Sequence, residues 1–305
     1  MSLPETSEQK LSPLSLPDNI YGVFEEKGAQ NAEKVRRILQ ITNDLCQNSF
    51  RGLRILDLGC AEGVYAIEAA LRGAQVVGVD GRIERMQKGK QMAEQLRLQN
   101  VRFLNQDVRN LNWAELGHFH VIYCLGLLYH LDEDSLFPLI SKLSPACTHM
   151  LVIDTHTSPK EEKSVAYQEH TYFGRLYREH QPEDSEETMH QRLGSSIKNR
   201  QSFWLTRKSL SSLLHNHGFT CVFECRIPPE YVSRKSRTTF VALKGQPITL
   251  FSYPWMNDLS EKEIKKKMIE LGPWRNPWRL KAPPGKENPF FKKLGWWLNP
   301  FRRRR

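Results

Sequence analysis

Asp57, Gly59, Gly63 and Asp80 first suggest chemistry, because two carboxylates bracket a pair of glycines within one short stretch. A glycine lets the backbone approach a ligand with no Cβ in the way. An acid closing a buried strand can accept hydrogen bonds from two neighbouring hydroxyls. The elements that would position these residues read directly from the chain. Ile55, Leu56 and Leu58 form a short apolar run that stops at Gly59, as a buried parallel strand does. Val64 to Leu71 carries apolar and small residues at helical spacing and ends before Gly73, a helix stop. The start of that helix presents free N–H groups and a partial positive charge. Val76, Val77 and Val79 make a second buried strand, closed by Asp80. Strand, glycine turn, helix, strand and terminal acid, in that order, are the pattern of a nucleoside-binding βαβ unit.

Two ligands compete for this unit, a nicotinamide dinucleotide and S-adenosylmethionine. The dinucleotide fingerprint wants glycines at alternate positions and usually lacks an acid before the first. Here Asp57 precedes Gly59, Ala61 stands where a second glycine would, and Glu62 follows. A carboxylate at that place suits a cationic methionyl group and its ammonium better than a pyrophosphate. Farther on, Val121 to Leu125 reads as a fourth strand, with Gly126 to His130 just beyond its carboxyl end, where open α/β sheets hold their ligands. Tyr129 and His130 are the polar groups expected beside a reacting centre there. A neutral imidazole at His130 could take the proton of an attacking hydroxyl; its other reading is a structural residue at the start of the next helix.

The stretch Arg54 to Asp80 resembles motifs I and II of the class I S-adenosylmethionine-dependent methyltransferases. The run Gly-Leu-Leu-Tyr-His at 126–130 resembles the branch that contains the tRNA wobble-uridine carboxymethyltransferases and related bacterial methyltransferases. The similarity spans about Arg51 to Lys244. It implies an α/β, Rossmann-like fold: a seven-stranded mixed sheet with a closing antiparallel hairpin and helices on both faces. It also implies S-adenosyl-L-methionine as cofactor. Asp57, Gly59, Cys60 and Gly63 would hold the methionyl part and Asp80 the ribose. By the same resemblance Asp107 would take the adenine amino group, Val108 would donate a backbone N–H, and Leu125 would line the cofactor site. Asp107 has a second reading, as the cap of the turn before Leu111.

The other elements follow in order. Val35 to Leu45 fits an amphipathic helix, within an N-terminal cover over 1–50; the methyltransferase domain is expected over 51–244. Glu84 to Leu98 reads as a helix, Val101 to Leu104 as a strand, and Asp132 to Leu143 as a helix capped by Asp132 or Asp134. Met150 to Asp154 is the fifth strand, and His156 leaves its end. Asp154 lacks a clear second acid, so no metal site is expected. Residues 158–200 are charged and irregular and are expected to form a lid, with His156, Tyr172, Arg175 and Tyr177 contacting the acceptor. Ser202 to Leu210 is expected to open the final helix, capped by Thr206. Phe219 to Cys225 and Thr238 to Leu243 supply the closing hairpin.

Composition bounds the rest. No apolar run approaches the ~18 residues of a membrane span, and Met1 to Asp18 has no apolar signal core. Six cysteines without CxxC spacing are expected to be free thiols in a reducing cytoplasm. The net charge of +10 is uneven: Glu261 to Arg305 holds 14 basic and 4 acidic residues, leaving 30 of each elsewhere. This Trp- and Pro-rich extension over 245–305 has three open readings: contact with an anionic membrane surface, nucleic acid, or a wrap around its own domain. Together these features and the resemblance imply a cytoplasmic methyltransferase acting on an oxygen of a small-molecule or lipid-like acceptor, with a tRNA wobble-uridine modifier as the alternative.

Overall fold

Successive residues of a strand point to opposite faces of its sheet, and here both faces are apolar. The computed structural model describes residues 28–47, 49–225, 237–245 and 266. In chain order the central elements are α1 (Gly28–Leu45), β1 (Arg54–Leu58), α2 (Val64–Leu71), β2 (Gln75–Asp80), α3 (Ile83–Gln95), β3 (Val101–Asn105), α4 (Trp113–Leu116), β4 (Phe119–Leu125), α5 (Glu133–Ala146) and β5 (Cys147–His156). Leu56, Leu58, Val79, Ile122 and Cys124 face one core, with α5. Ile55, Val76, Val121, Tyr123 and Val152 face the other, with α1 and α2. Burial on both sides is why these strands read as near-continuous apolar runs. Thr42 of α1 and Tyr123 of β4 share a buried hydrogen bond of 2.7 Å, which fixes the helix over the sheet.

Next come β6 (Lys163–Tyr167), β7 (His170–Arg178), α6 (Glu186–Gln191), β8 (Gln201–Leu205), α7 (Arg207–Asn216), β9 (Cys221–Cys225) and β10 (Arg237–Leu243). The main sheet has seven strands in the order β3-β2-β1-β4-β5-β10-β9. Strands β1 to β5 are parallel, whereas β10 runs antiparallel to β5 and β9. This is the mixed sheet with a closing hairpin that the sequence predicts.

The insertion after β5 differs from expectation. It is not irregular: β6, β7 and β8 form their own three-stranded antiparallel sheet. Nor does the final helix open at Ser202. Ser202, Phe203 and Trp204 lie on β8, and the helix begins only at Arg207, with Thr206 as its N-cap accepting from the Ser209 amide. The apolar run Phe203–Leu205 is buried on both sides, so it lacks the alternation that marks an ordinary antiparallel strand. The insertion is clasped where it leaves and returns: Ser158 pairs with Thr206 in an isolated parallel bridge, and the Ser158 amide donates to the Leu205 carbonyl at 2.8 Å.

The six cysteines are free, and four of them are buried. No helix among the described residues is long and apolar enough to cross a membrane. The N-terminal stretch before Gly28, residues 226–236 and, apart from Gly245 and Lys266, the Trp/Pro-rich extension lie outside the described residues.

Candidate active site

The strand order reverses direction between β1 and β4, and a cleft opens at the carboxyl ends of the strands there, as in other open α/β sheets. It encloses about 630 Å³, open solvent included. Its walls come from every neighbouring strand end: Gly59 after β1, Asp80 to Arg82 at β2, Asp107 to Arg109 after β3, and Gly126 and His130 after β4. The insertion adds Ser195 to Ile197 and Asn199 as the roof.

The glycine turn is built from left-handed residues: φ is +66° at Gly59, +51° at Ala61 and +76° at Gly63. A Cβ at Gly63 would lie 2.5 Å from the Phe103 ring, so the position excludes other side chains by space as well as by φ. Four of the five loop amides from Gly59 to Gly63 are already engaged. Gly59 and Cys60 donate to the Val79 carbonyl, Gly63 to the Cys60 carbonyl, and Ala61 to Asp80 Oδ2 at 2.8 Å. Asp80 Oδ1 accepts from the Arg82 amide, also at 2.8 Å. Each carboxylate oxygen therefore holds one N–H and keeps lone-pair capacity for a hydroxyl in the cleft.

Asp57 stands behind this wall, 1% exposed, on the strand face that meets α2. Its Oδ2 is buried without a hydrogen-bond partner among the described residues. Burial and then the charge of Asp80 push its carboxyl up to about 7. Cys60 is also buried; its Sγ tucks beneath Gly78, and burial raises the thiol well above its usual range. Asp107 caps the short 3₁₀ turn Val108–Asn110 and meets Arg109 in a two-pronged ion pair, with contacts of 2.6 and 2.8 Å. Burial raises its carboxyl, but the hydrogen bonds and charge of Arg109 outweigh that and hold it low. Val108 lies on the cleft wall. Leu125 is a buried residue at the end of β4, outside the wall.

The expected catalytic pair divides. His130 lines the cleft, and its Nδ1 lies 3.1 and 3.0 Å from the two carboxylate oxygens of Glu179. Tyr129 faces the other way, toward β5 and β10. Arg237 donates to its hydroxyl at 3.3 Å, and the Tyr129 and His130 rings are 4.2 Å apart. Arg237 also donates to Asp154 Oδ1 at 3.0 Å, while the Lys34 ammonium lies 2.7 Å from Oδ2. Burial raises the Asp154 carboxyl, yet these two cations outweigh it and keep the group ionised.

The expected acceptor contacts also divide. His156, Arg175 and Tyr177 converge on Trp204. Tyr177 and His156 stack on its ring at 4.3 and 4.8 Å, and the Arg175 guanidinium lies 4.6 Å over it. The Trp204 indole donates to the Tyr129 carbonyl, so this tier is joined to the residue that precedes His130. Tyr172 is elsewhere: it is buried against Phe137, and its hydroxyl accepts from Asn216.

Glu179 and Arg82 escape a reading of the sequence. Glu179 sits in the charged run Arg178-Glu-His-Gln, and Arg82 in a helix start; only the fold brings each to the cleft. The buried Arg82 guanidinium donates to the carbonyls of His190, Arg192, Ser195 and Ser196, at 3.0 to 3.3 Å. It holds the roof down beside Asp80.

Comparison with known proteins agrees with this architecture. A family model described as "Methyltransferase domain" matches residues 55–148. The ubiquinone biosynthesis O-methyltransferase of Acinetobacter baumannii (strain AYE) is 28% identical over 110 residues, 36% of this chain and 46% of that protein. The enzyme of the same name from Psychrobacter cryohalolentis is 32% identical over 96 residues, 30% of this chain and 37% of that one. The chain thus spans less than half the length of the curated relatives it matches. Among solved structures, the N-terminal domain of EvdMO1 with SAH bound aligns with a TM-score of 0.54 at 24% identity, covering 69% of this chain and 79% of that one. The same domain in the presence of SAH and D-fucose gives 0.55 at 23%, covering 72% and 88%. Residues 55–148 thus match a methyltransferase-domain model, and the seven-stranded sheet around them has the fold of that SAH-bound structure.

Proposed function

We propose that this protein is an S-adenosylmethionine-dependent methyltransferase that methylates an oxygen of a small-molecule or lipid-like acceptor. The observation that carries the reading is Asp57: a buried carboxylate with an orphaned oxygen, beside a glycine turn most of whose amides are already engaged. Among the described residues no cation partners that oxygen, and few turn amides remain for a pyrophosphate, which favours a methionyl ammonium over a dinucleotide. Asp80 would hold the ribose hydroxyls, Asp107 and Val108 the adenine side, and Gly59, Cys60 and Gly63 the turn around the methionyl group. The cofactor supplies an electrophilic methyl group.

The chain's own residues do the rest. The roof at Ser195 to Ile197 lines the cleft and would limit the access of water. His130 stands at the carboxyl end of β4, where it can take the proton from an acceptor hydroxyl as that oxygen attacks. The tier of Tyr129, His156, Trp204 and Tyr177 would flank the acceptor, and apolar rings suit an aromatic or prenylated compound. The O-methyltransferase names of the matched relatives support oxygen as the accepting atom. The test is a mass-spectrometric screen of hydroxylated acceptors with methyl-labelled S-adenosylmethionine, after calorimetric titration with S-adenosylhomocysteine. Label on an oxygen is expected; a crevice that binds a nicotinamide dinucleotide and ignores S-adenosylhomocysteine refutes the proposal.

A further inference from the structure

The insertion does more than cover the cleft. Glu179 follows β7, its side chain is 1% exposed, and three groups converge on its carboxylate. His130 Nδ1 reaches both oxygens, the Ser202 hydroxyl donates to Oε1 at 2.9 Å, and the Ser196 amide donates to Oε2 at 3.0 Å. Burial raises this carboxyl, but the contacts from His130, Ser196 and Ser202 outweigh it and hold the group ionised. An ionised carboxylate only accepts, so His130 must donate from Nδ1. In the neutral ring the remaining nitrogen, Nε2, is then an acceptor, and His130 lines the cleft. That tautomer is the one a general base needs.

Ser196 links this seat to the cofactor edge. Its amide faces Glu179, while its carbonyl accepts from Arg82 at 3.3 Å and lies 2.8 Å from His180 Nε2. Arg82 in turn follows Asp80 by two residues, and its own amide donates to that carboxylate. One connected set of hydrogen bonds therefore runs from the end of β2 through the roof to the imidazole. Asn199 closes a second path, donating to the His130 carbonyl at 2.9 Å.

We propose that Glu179 and Arg82 are positioning residues, Glu179 directly and Arg82 through Ser196, so that seating the insertion on the β2 edge sets His130 in its base-competent tautomer. The acceptor class follows: a hydroxyl whose proton must be removed during transfer, an alcohol or phenol, rather than a group that is already anionic. Calling His130 the base rests on the methyltransferase reading; its tautomer does not.

The experiment uses the full chain labelled with ¹⁵N-histidine, and two-dimensional NMR of the ring nitrogens at pH 8. The His130 signals are assigned by their loss in His130→Gln. Wild type is expected to show a neutral ring protonated at Nδ1. In Glu179→Gln that population is expected to fall by at least half, because a neutral amide no longer demands a donor. Arg82→Leu is expected to act in the same direction, and Ser202→Ala more weakly, as a mild variant that keeps the fold. An Nε2-protonated ring in wild type, or an unchanged tautomer in Glu179→Gln, overturns the role of Glu179. An unchanged tautomer in Arg82→Leu with the roof still protected from hydrogen exchange overturns the link through Ser196. Titration with S-adenosylhomocysteine in the same samples reports separately on the methyltransferase reading.

Discussion

Replacing Asp57 by asparagine sets the cost of a buried charge against its use. The carboxyl titrates near 7 in the folded chain, against about 3.9 for an ordinary aspartate. The unfolded chain therefore loses this proton at lower pH than the folded one. Between about pH 4 and pH 7 the folded state holds more protons, so this group's contribution to stability falls as pH rises. It is fully favourable below pH 4 and at its worst above pH 7. At about 1.4 kcal/mol per pH unit, the gap of about three units amounts to about 4 kcal/mol. Asparagine keeps the shape and the contact with α2 while removing the charge. Asp57→Asn is expected to be more stable than wild type by about 2–4 kcal/mol at pH 8 and about equal to it at pH 4. Urea titrations of both proteins at four pH values measure this difference. The same substitution is expected to weaken S-adenosylhomocysteine binding by at least about ten-fold, because a charge-assisted contact to the ammonium is lost. Calorimetry in two buffers of unlike ionisation enthalpy should show wild type releasing a proton on binding at pH 7. A variant less stable than wild type at pH 8, or a stability difference that ignores pH, refutes the argument.

His130→Ala is expected to slow methyl transfer by ~10²-fold or more with cofactor affinity kept, as measured on any acceptor the screen returns. Gly63→Ala combines a left-handed φ with a 2.5 Å approach to Phe103; a loss of about 2–4 kcal/mol is expected from denaturant melts. Arg237→Met leaves Asp154 buried with one cation fewer and should cost about 3 kcal/mol at pH 7. Because Asp154 titrates low in the folded chain, that loss should shrink as pH falls below about 4; a loss equal at pH 3 and pH 7 refutes the assignment.

The parallel part of the sheet is legible because its signals are local. Ile55 to Leu58 and Val76 to Val79 are short apolar runs stopped by Gly59 and Asp80, and each names its own element. The cofactor edge follows from them, since a strand's end fixes where its next residue lies. The insertion is another matter. On β7, exposed Phe173 and Leu176 and half-buried Arg175 blur the polar–apolar alternation, and β8 runs straight into the cap of α7. A reader who finds Thr206 as an N-cap takes the apolar residues before it as the helix too. The polar site is harder still. Glu179 lies 49 positions from His130, and Asp154 lies 83 from Arg237. Such pairs leave no periodicity, because only the crossing of the insertion over β4 and the pairing of β10 with β5 brings them together. Tyr172 shows the converse error: an aromatic in a charged segment suggests a surface role, but β7 turns it inward.

The clasp between Ser158 and Thr206 makes the whole insertion a cassette with adjoining ends. Its sequence can drift, lengthen or be exchanged without altering the spacing between β5 and α7, so the carboxyl edge of β1 and β2 is shielded from that change. Its attachments to the main body limit this freedom, chief among them the grip of Arg82 and the seat of His130, with Asn199 and Trp204 bonded to the His130 and Tyr129 carbonyls. A graft from a relative that keeps a carbonyl cluster for the first and an acid for the second should therefore carry a new acceptor preference onto an unaltered engine.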